Sequence, residues 1–163
     1  MELTFRTHLL QSDAEEVRRL VASSGFFRDD EVPVAVELVT ETLEKGAASG
    51  YSFIFAESGG GTVGYACFGL IPCTLSSYDL YWIVVDNSCR GQGIGVELMR
   101  RVEAAVEQLG GRRIYIETST RELYTPTRRF YEKCGYRIVA TFPDFYADGD
   151  GKDVFHRSIA DQS

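Results

Sequence analysis

The spacing of hydrophobic and polar residues predicts two helices in the first quarter of the chain. A capping-box pattern at Ser12–Glu15 opens the first helix, and apolar residues at helical intervals continue it to about Ser23. The second helix is predicted to begin after Asp29 or Asp30, with Pro33 in its first turn. We therefore expect a helical pair before the first strand.

The pattern changes to strands after this helical pair. Ser52–Glu57 and Thr62–Leu70 are rich in aromatic and β-branched residues and flank a glycine-rich turn, Ser58–Gly61, which is typical of an antiparallel hairpin. Asp79–Val85 is predicted to be the next strand. The sequence thus indicates three consecutive strands, the first two of them antiparallel.

A strand, helix, strand unit follows. Gly93–Leu109 is predicted to be an amphipathic helix that stops at the following two glycines, and Arg113–Glu117 returns as a strand. The apolar face of this helix would contain Ile94, Leu98, Met99, Val102, Ala105, Val106 and Leu109. Such a unit implies a parallel strand pair with a right-handed crossover.

The last third of the chain predicts one more helix and a hairpin. The helix would start with Thr125 as its cap and end at Gly135. Tyr136–Phe142 and Val154–Ile159 would then form two strands joined by an acidic turn, Asp144–Gly151. The acids of this turn lack the spacing of a calcium loop, so we expect a plain hairpin connection.

The most informative local feature is the segment Arg90–Gly95, which lies between a predicted strand and a predicted helix. Its three glycines bring backbone amides close to the helix N-terminus. Unpaired amides and the positive end of the helix dipole favour a phosphate or diphosphate there. A nucleoside-triphosphate loop is excluded, because no Gly-Lys-Ser or Gly-Lys-Thr follows the glycines.

Length and composition predict a single globular domain over residues 1–163, with 44% hydrophobic and 25% charged residues. No apolar run could span a bilayer, and the first residues lack the features of a signal peptide, so we expect a cytoplasmic protein without a membrane partner. The four cysteines form no Cys-x-x-Cys pair and only two histidines are present. No metal site is therefore expected.

Charge is distributed unevenly along the chain. The net charge is −7, yet residues 90–137 carry ten Lys or Arg against six acids, which leaves −11 for the remainder. The acidic total argues against nucleic-acid binding, which depends on cationic side chains. The basic segment around the glycine loop suits an anionic cofactor instead.

These elements together resemble the GNAT superfamily of acetyl-CoA-dependent N-acetyltransferases. The resemblance covers nearly the whole chain, and its specific motifs lie within 79–137: the Arg-x-x-Gly-x-Gly loop that begins at Arg90, and the helix end Phe130–Tyr136. It implies an α/β fold of the α+β type. Helices would flank a mixed, mostly antiparallel sheet whose central parallel pair is splayed for the cofactor.

The resemblance also implies how acetyl-CoA would bind. The diphosphate would be held by backbone amides of Arg90, Gly91, Gln92, Gly93, Ile94 and Gly95. The pantetheine arm would take strand-edge hydrogen bonds from Ile83, Val84 and Val85, and one of these amides could polarise the thioester carbonyl. Many family members carry Asn near this arm at the position that Tyr124 occupies here.

Four side chains are candidates for the chemistry. Tyr131 matches the tyrosine that protonates the departing thiolate in many members of the superfamily, and a phenol is protonated at neutral pH. Asp79 and Tyr81 lie on one face of a strand, at positions where relatives place a general base. Glu117 is a third candidate for the base. Asp79 is equally well explained as a strand-end charge in a turn.

The predicted function is transfer of an acetyl group from acetyl-CoA to a primary amine by direct attack in a ternary complex. The acidic remainder of the chain suits a cationic acceptor, either a small molecule or a peptide amine. A homodimer remains open.

Two alternatives are a non-catalytic acyl-CoA-binding module and a dinucleotide-binding protein. Glu117 lies roughly where a ribose-binding acid belongs in a dinucleotide fold. Against this reading, the third glycine of that fingerprint falls at Val96, and the polar stretch Asp86–Cys89 separates the strand from the first glycine.

Overall fold

The computed structural model describes residues 2–159, in which the chain forms seven strands and four α-helices. In chain order they are β1 (Thr4–Arg6), α1 (Asp13–Ser23), α2 (Glu31–Lys45), β2 (Ser52–Ser58), β3 (Gly61–Leu70), β4 (Ser77–Val85), α3 (Ile94–Gln108), β5 (Arg113–Ser119), α4 (Thr125–Lys133), β6 (Arg137–Ala147) and β7 (Asp150–Ser158). Within these residues, none of the helices has the length and apolar character that crossing a bilayer requires.

The strands form one sheet in the order β1-β2-β3-β4-β5-β7-β6. The ladders β1–β2, β2–β3, β5–β7 and β7–β6 are antiparallel, whereas β4 and β5 run parallel because α3 carries the chain back between them. The predicted mixed, mostly antiparallel sheet with one parallel pair is confirmed. The described residues do not form the doubly wound parallel sheet that a dinucleotide-binding fold requires.

The chain divides into two compact units. Unit 1 contains Met1–Gly69 and Trp82–Val102, and unit 2 contains Leu70–Tyr81 and Glu103–Ser163. Both β4 and α3 therefore contribute residues to each unit. The single domain expected from the length of the chain stays a prediction.

One face of the β2–β3 hairpin in unit 1 is an aromatic layer. Phe53, Phe55 and Tyr65 are buried and stack with ring centroids 5.8 to 6.5 Å apart. Their alternation along the strands follows the period-2 pattern of the sequence. The predicted hairpin is confirmed, and its opposite face is free to receive α3.

A buried ion pair secures the start of unit 1 in a way that the sequence did not predict. Ser12 precedes α1, but its side chain makes no capping bond, so the predicted capping box is wrong. Asp13 instead accepts two hydrogen bonds of 2.8 Å from the Arg6 guanidinium and one of 2.7 Å from the Leu10 amide. This interaction joins α1 to β1, a three-residue strand too short to leave a sequence pattern.

The structure corrects several predicted boundaries in unit 2. Leu109 was expected on the apolar face of α3 but is 60% exposed beyond the end of the helix. Thr125 is the first residue of α4 rather than its cap. The expected turn Asp144–Gly151 is much shorter, because β6 continues to Ala147 and β7 begins at Asp150.

The closest backbone approach in unit 1 occurs at Gly64 of β3. An added Cβ there would lie 3.0 Å from the carbonyl oxygen of Val84 and 3.3 Å from Cδ1 of Leu98, which belongs to α3. Ile94 of the same helix would be 3.5 Å away. Glycine at this position therefore allows the first turns of α3 to pack directly on the sheet.

We expect Gly64→Ala to destabilise the protein by about 1–3 kcal/mol, because the new methyl group meets backbone that has no rotamer to relax into. Urea unfolding measures the change. Gly61→Ala is the matched control, since its Cβ would have a nearest neighbour at 3.9 Å, an ordinary contact. Equal stabilities for the two variants would contradict the tight packing inferred at Gly64.

Candidate active site

The glycine segment lies in unit 1, at the start of α3. The chain leaves β4 at Val85, makes a short 3-10 turn and reaches Gly91 and Gly93, which both have φ of +79°. This left-handed region favours glycine, and an added Cβ at either position would meet no described atom within 4 Å. The two glycines therefore bend the loop and leave its backbone open to an approaching group.

The helix start presents its amides next to this loop. The Glu97 amide donates to the Gly93 carbonyl at 3.1 Å, which marks the beginning of helical bonding. The first amides of a helix have no partner within the helix, and the dipole adds partial positive charge. The backbone from Arg90 to Gly95 can thus accept an anion, and the binding of a diphosphate there stays a prediction.

The one acidic side chain in the first turn of α3 is neutralised by neighbours. Glu97 receives hydrogen bonds from Arg100 at 2.6 and 2.9 Å and from Arg101 at 2.9 Å. The Arg100 hydrogen bond is the main cause that lowers the pKa of Glu97 to about 2. Because this carboxylate is paired, it opposes an anionic ligand at the helix start less than a free one would.

The segment before the glycines is tied to the end of α1. Asn87 donates from Nδ2 to the Ser23 carbonyl at 2.6 Å, and the Arg90 guanidinium lies over the Phe26 ring at 4.9 Å. Asp86 accepts from the Ser88 amide at 2.9 Å and so caps the 3-10 turn. These contacts fix the path by which the chain enters the loop.

Ile83, Val84 and Val85 of β4 are the candidate residues for the pantetheine arm, and they also belong to unit 1. Val84 is buried, while Ile83 and Val85 are half-buried. The described ladder between β4 and β5 contains three pairs and ends at Asp79 with Tyr115. Ile83 to Val85 therefore lie beyond the described β4–β5 pairs, and the splayed strands implied by the resemblance stay a prediction.

Tyr131 lies in unit 2, in the last turn of α4. Its ring packs against Phe155 of β7 with centroids 5.4 Å apart, and the residue is 6% exposed. Burial raises the pKa of its phenol well above the ordinary value. The helix ends at Lys133, and just beyond it the Tyr136 amide donates to the Tyr131 carbonyl at 3.0 Å and fixes the backbone of this turn.

Asp79, Glu117 and Lys152 form a charged group in unit 2. Burial and, to a smaller extent, the negative charge of Glu117 raise the pKa of Asp79 to about 6, and the positive charge of Lys152 opposes this rise. Lys152 Nζ lies 3.4 Å from Glu117 Oε1. Tyr81 is half-buried two residues after Asp79. The structure therefore brings Asp79 near Glu117, and Asp79 is the candidate base with a pKa close to neutrality.

Sequence reasoning missed Lys152 and the contacts that Arg128 makes. Lys152 carried no signal, because its neighbours come from β5 and from distant parts of β6. Arg128 donates from Nη1 to the Ser119 carbonyl at 2.7 Å and to the Arg121 carbonyl at 2.9 Å, which ties α4 to the end of β5.

Among the described residues, no group of three or more His, Cys, Asp or Glu is arranged to hold a metal ion.

Comparisons with known proteins agree with this architecture. A protein of the GNAT family from Desulfovibrio desulfuricans is 44% identical, with a TM-score of 0.96, and the match covers 98% of this chain and 100% of that one. An aminoglycoside 6'-N-acetyltransferase complexed with coenzyme A is 21% identical over 100% of this chain and 99% of its own; its TM-score of 0.76 shows the same fold.

An uncharacterized N-acetyltransferase of Methanocaldococcus jannaschii is 32% identical over 98 residues, and the match spans 60% of this chain and 60% of that protein's length. The acetyltransferase (GNAT) family matches residues 14–136, which include the glycine loop, Asp79 and Tyr131. This match extends over most of the chain. The protein belongs to the GNAT family of acetyltransferases.

Proposed function

We propose that this protein transfers an acetyl group from acetyl-CoA to a primary amine by direct attack in a ternary complex. The observation that carries the proposal is the open glycine backbone at the start of α3, where Gly91 and Gly93 expose amides at the positive end of a helix. The acceptor is a cationic small molecule or a peptide amine. A cytoplasmic location and a homodimer stay predictions.

Acetyl-CoA would be held by backbone rather than by side chains. The amides from Arg90 to Gly95 would bind the diphosphate, and the backbone of Ile83 to Val85 would bind the pantetheine arm. An amide of this strand would donate to the thioester carbonyl and stabilise the oxyanion that develops during attack. The pairing of Glu97 with Arg100 and Arg101 supports this assignment, because it reduces repulsion of the diphosphate.

Tyr131 would donate its proton to the departing sulfur. Burial raises the pKa of the phenol, so the hydroxyl stays protonated at every physiological pH. The same burial makes a free phenolate costly, which favours donation only as negative charge builds up on the sulfur. This is the behaviour required of a general acid that must not lose its proton before the reaction.

Asp79 would serve as the general base, with Tyr81 and Glu117 as the other candidates. An ammonium acceptor must lose a proton before it can attack, and a primary amine has a reference pKa of about 10.4. A carboxylate with a pKa of about 6 is ionised at neutral pH and is a stronger base than an ordinary aspartate. This property favours Asp79 over the exposed Glu117.

We expect Gly93→Ala to weaken coenzyme A binding about tenfold or more, because a side chain at φ of +79° strains the loop that presents the amides. Calorimetric titration measures the dissociation constant. Gly59→Ala is the control, since Gly59 also has positive φ with open space but lies in the β2–β3 turn. Equal loss in both variants, or a thermal shift with NAD instead of coenzyme A, would contradict the proposed loop.

We expect Tyr131→Phe to lower turnover about a hundredfold or more while coenzyme A affinity stays within about twofold of wild type. The ring keeps its packing on Phe155, and only the donated proton is lost. Release of free thiol with a panel of amines measures turnover. Tyr51→Phe in unit 1 should leave the rate unchanged. Cofactor binding without thiol release in the wild type would instead support a non-catalytic acyl-CoA-binding module.

We expect the wild-type rate at saturating substrates to fall as the pH drops through about 6, because the Asp79 carboxyl then becomes protonated and cannot accept a proton. Asp79→Asn should lower the rate about a hundredfold or more and abolish this acidic limb of the pH profile. Asp148→Asn, an exposed acid in the β6–β7 turn, should keep it. An unchanged limb in Asp79→Asn would transfer the role to Glu117 or Tyr81.

A further inference from the structure

Lys152 of β7 is a charged side chain held among aromatic rings. Its side chain is only 12% exposed. Its ammonium lies 3.8 Å from the Phe145 ring centroid, 5.2 Å from that of Phe142 and 3.4 Å from Glu117 Oε1. Two rings and a carboxylate around one cation are the components of a cation-binding site. We call Phe142, Phe145 and Glu117 the cation clamp.

Strand pairing accounts for two members of this clamp. Lys152 pairs with Phe142 of β6 on one side and with Ser119 of β5 on the other, and paired residues share a face of the sheet. Glu117 lies two residues before Ser119 and therefore presents its side chain to the same face. The strand pairing thus places the Phe142 ring on the β6 side of Lys152 and the Glu117 carboxylate on its β5 side.

A bulge in β6 supplies the third member. The β6–β7 register shifts between Phe142 and Ala147, so four residues oppose the single Gly151. Asp144 in this bulge has φ of +54°, which is uncommon for a residue other than glycine, and its Oδ1 accepts from the Gly149 amide at 2.7 Å. The bulge turns Phe145 back over Lys152. Strained backbone of this kind is concentrated at functional sites.

The clamp is open on its aromatic side. Phe142 is 46% exposed and Phe145 is 53% exposed, and the half-exposed ring of Tyr146 meets Phe145 edge to face at 5.1 Å. These three rings stay exposed although β6 pairs with β7 on both sides of the bulge. A small ligand can therefore reach the rings from solvent.

The clamp also adjoins the proposed base, because the charges of both Glu117 and Lys152 act on the Asp79 carboxyl. The ammonium therefore lies in contact with Glu117, and its charge also acts on the Asp79 carboxyl. An organic cation that replaced this ammonium would meet the same rings and the same carboxylates. A neutral or anionic compound would gain the apolar contact but not the electrostatic one.

We propose that the cation clamp is the subsite that binds a small organic cation as acceptor, and that Lys152 occupies this subsite until the acceptor displaces it. The inference rests on the proposed acetyl transfer to an amine and names the acceptor class of that reaction. Lys152 is then a resident competitor: it occupies the position of the acceptor cation, and the apparent association constant is the intrinsic one multiplied by the fraction of molecules whose clamp Lys152 has left.

The test measures binding of phenethylamine, a cation at neutral pH, to the full chain by ligand-observed NMR without acetyl-CoA. We expect Lys152→Ala to bind it about tenfold more tightly than wild type, because the competitor is gone and the carboxylates lose their partner. Lys152→Met, which removes the charge but keeps the bulk, should gain less, about threefold. Phe145→Ala in the Lys152→Ala background should cancel the gain.

Two controls separate the clamp from simpler effects. Lys133→Ala removes an exposed lysine from α4 and should leave the dissociation constant unchanged. The neutral analogue 2-phenylethanol should gain clearly less from Lys152→Ala than phenethylamine does, because it makes the apolar contact with the rings but not the electrostatic one. Equal affinities of wild type, Lys152→Ala and Lys152→Met for phenethylamine, or an equal gain for 2-phenylethanol, would overturn the proposal.

Thermal unfolding of each variant accompanies the titrations, and Lys152→Met serves if Lys152→Ala does not fold. Because binding is read without the cofactor, the result does not depend on catalysis. A protein that binds phenethylamine as expected but transfers no acetyl group would contradict the proposed function and leave the cation subsite intact. Acetyl transfer without the Lys152 effect would contradict the subsite alone.

Discussion

The absence of a side chain at Gly64 is the constraint on which the packing of α3, and with it the position of the glycine loop, depends. The carbonyl of Val84 and the side chains of Ile94 and Leu98 close in on this position, so α3 packs directly on the strands from which its own loop departs. The apolar stripe of α3 fixes the rotation of the helix, and Gly64 fixes its distance. The direction of the first amides at Gly93 is then a consequence of core packing.

Burial shifts the pKa values of two candidate residues in unit 2, and the two shifts would serve different steps of the proposed reaction. It raises the pKa of both Tyr131 and Asp79, since a low dielectric disfavours either anion. In the proposed reaction, the shift in the phenol would secure a proton that is needed late. For the carboxyl, the shift brings the pKa to about 6, where it is ionised at neutral pH yet basic enough to help an amine. Both effects require a packed core beside Phe155 and β5.

The sequence predicted the features that arise from local periodicity. It did not predict the features that depend on contacts between residues far apart in the chain. The β2–β3 hairpin, the amphipathic α3 and the glycine loop each lie within one continuous segment, so their patterns could be read directly. Strand β1 is three residues long and owes its position to the pairing of Arg6 with Asp13. The bulge at Asp144 and the surroundings of Lys152 depend on register between strands, which no single segment records.

Charge distribution joins the two parts of the proposed reaction. The segment 90–137 carries a net charge of +4 in a chain whose total is −7, so the part of the sequence that contains the glycine loop is basic while the remainder is acidic. An anionic cofactor and a cationic acceptor would then each be drawn to a region of opposite charge. In the proposed acceptor subsite, Lys152 already balances Glu117, so an incoming cation gains only by exchange with that lysine. Exchange of like charges leaves the field at Asp79 nearly unchanged, which would let the base keep its pKa whether or not the acceptor is bound.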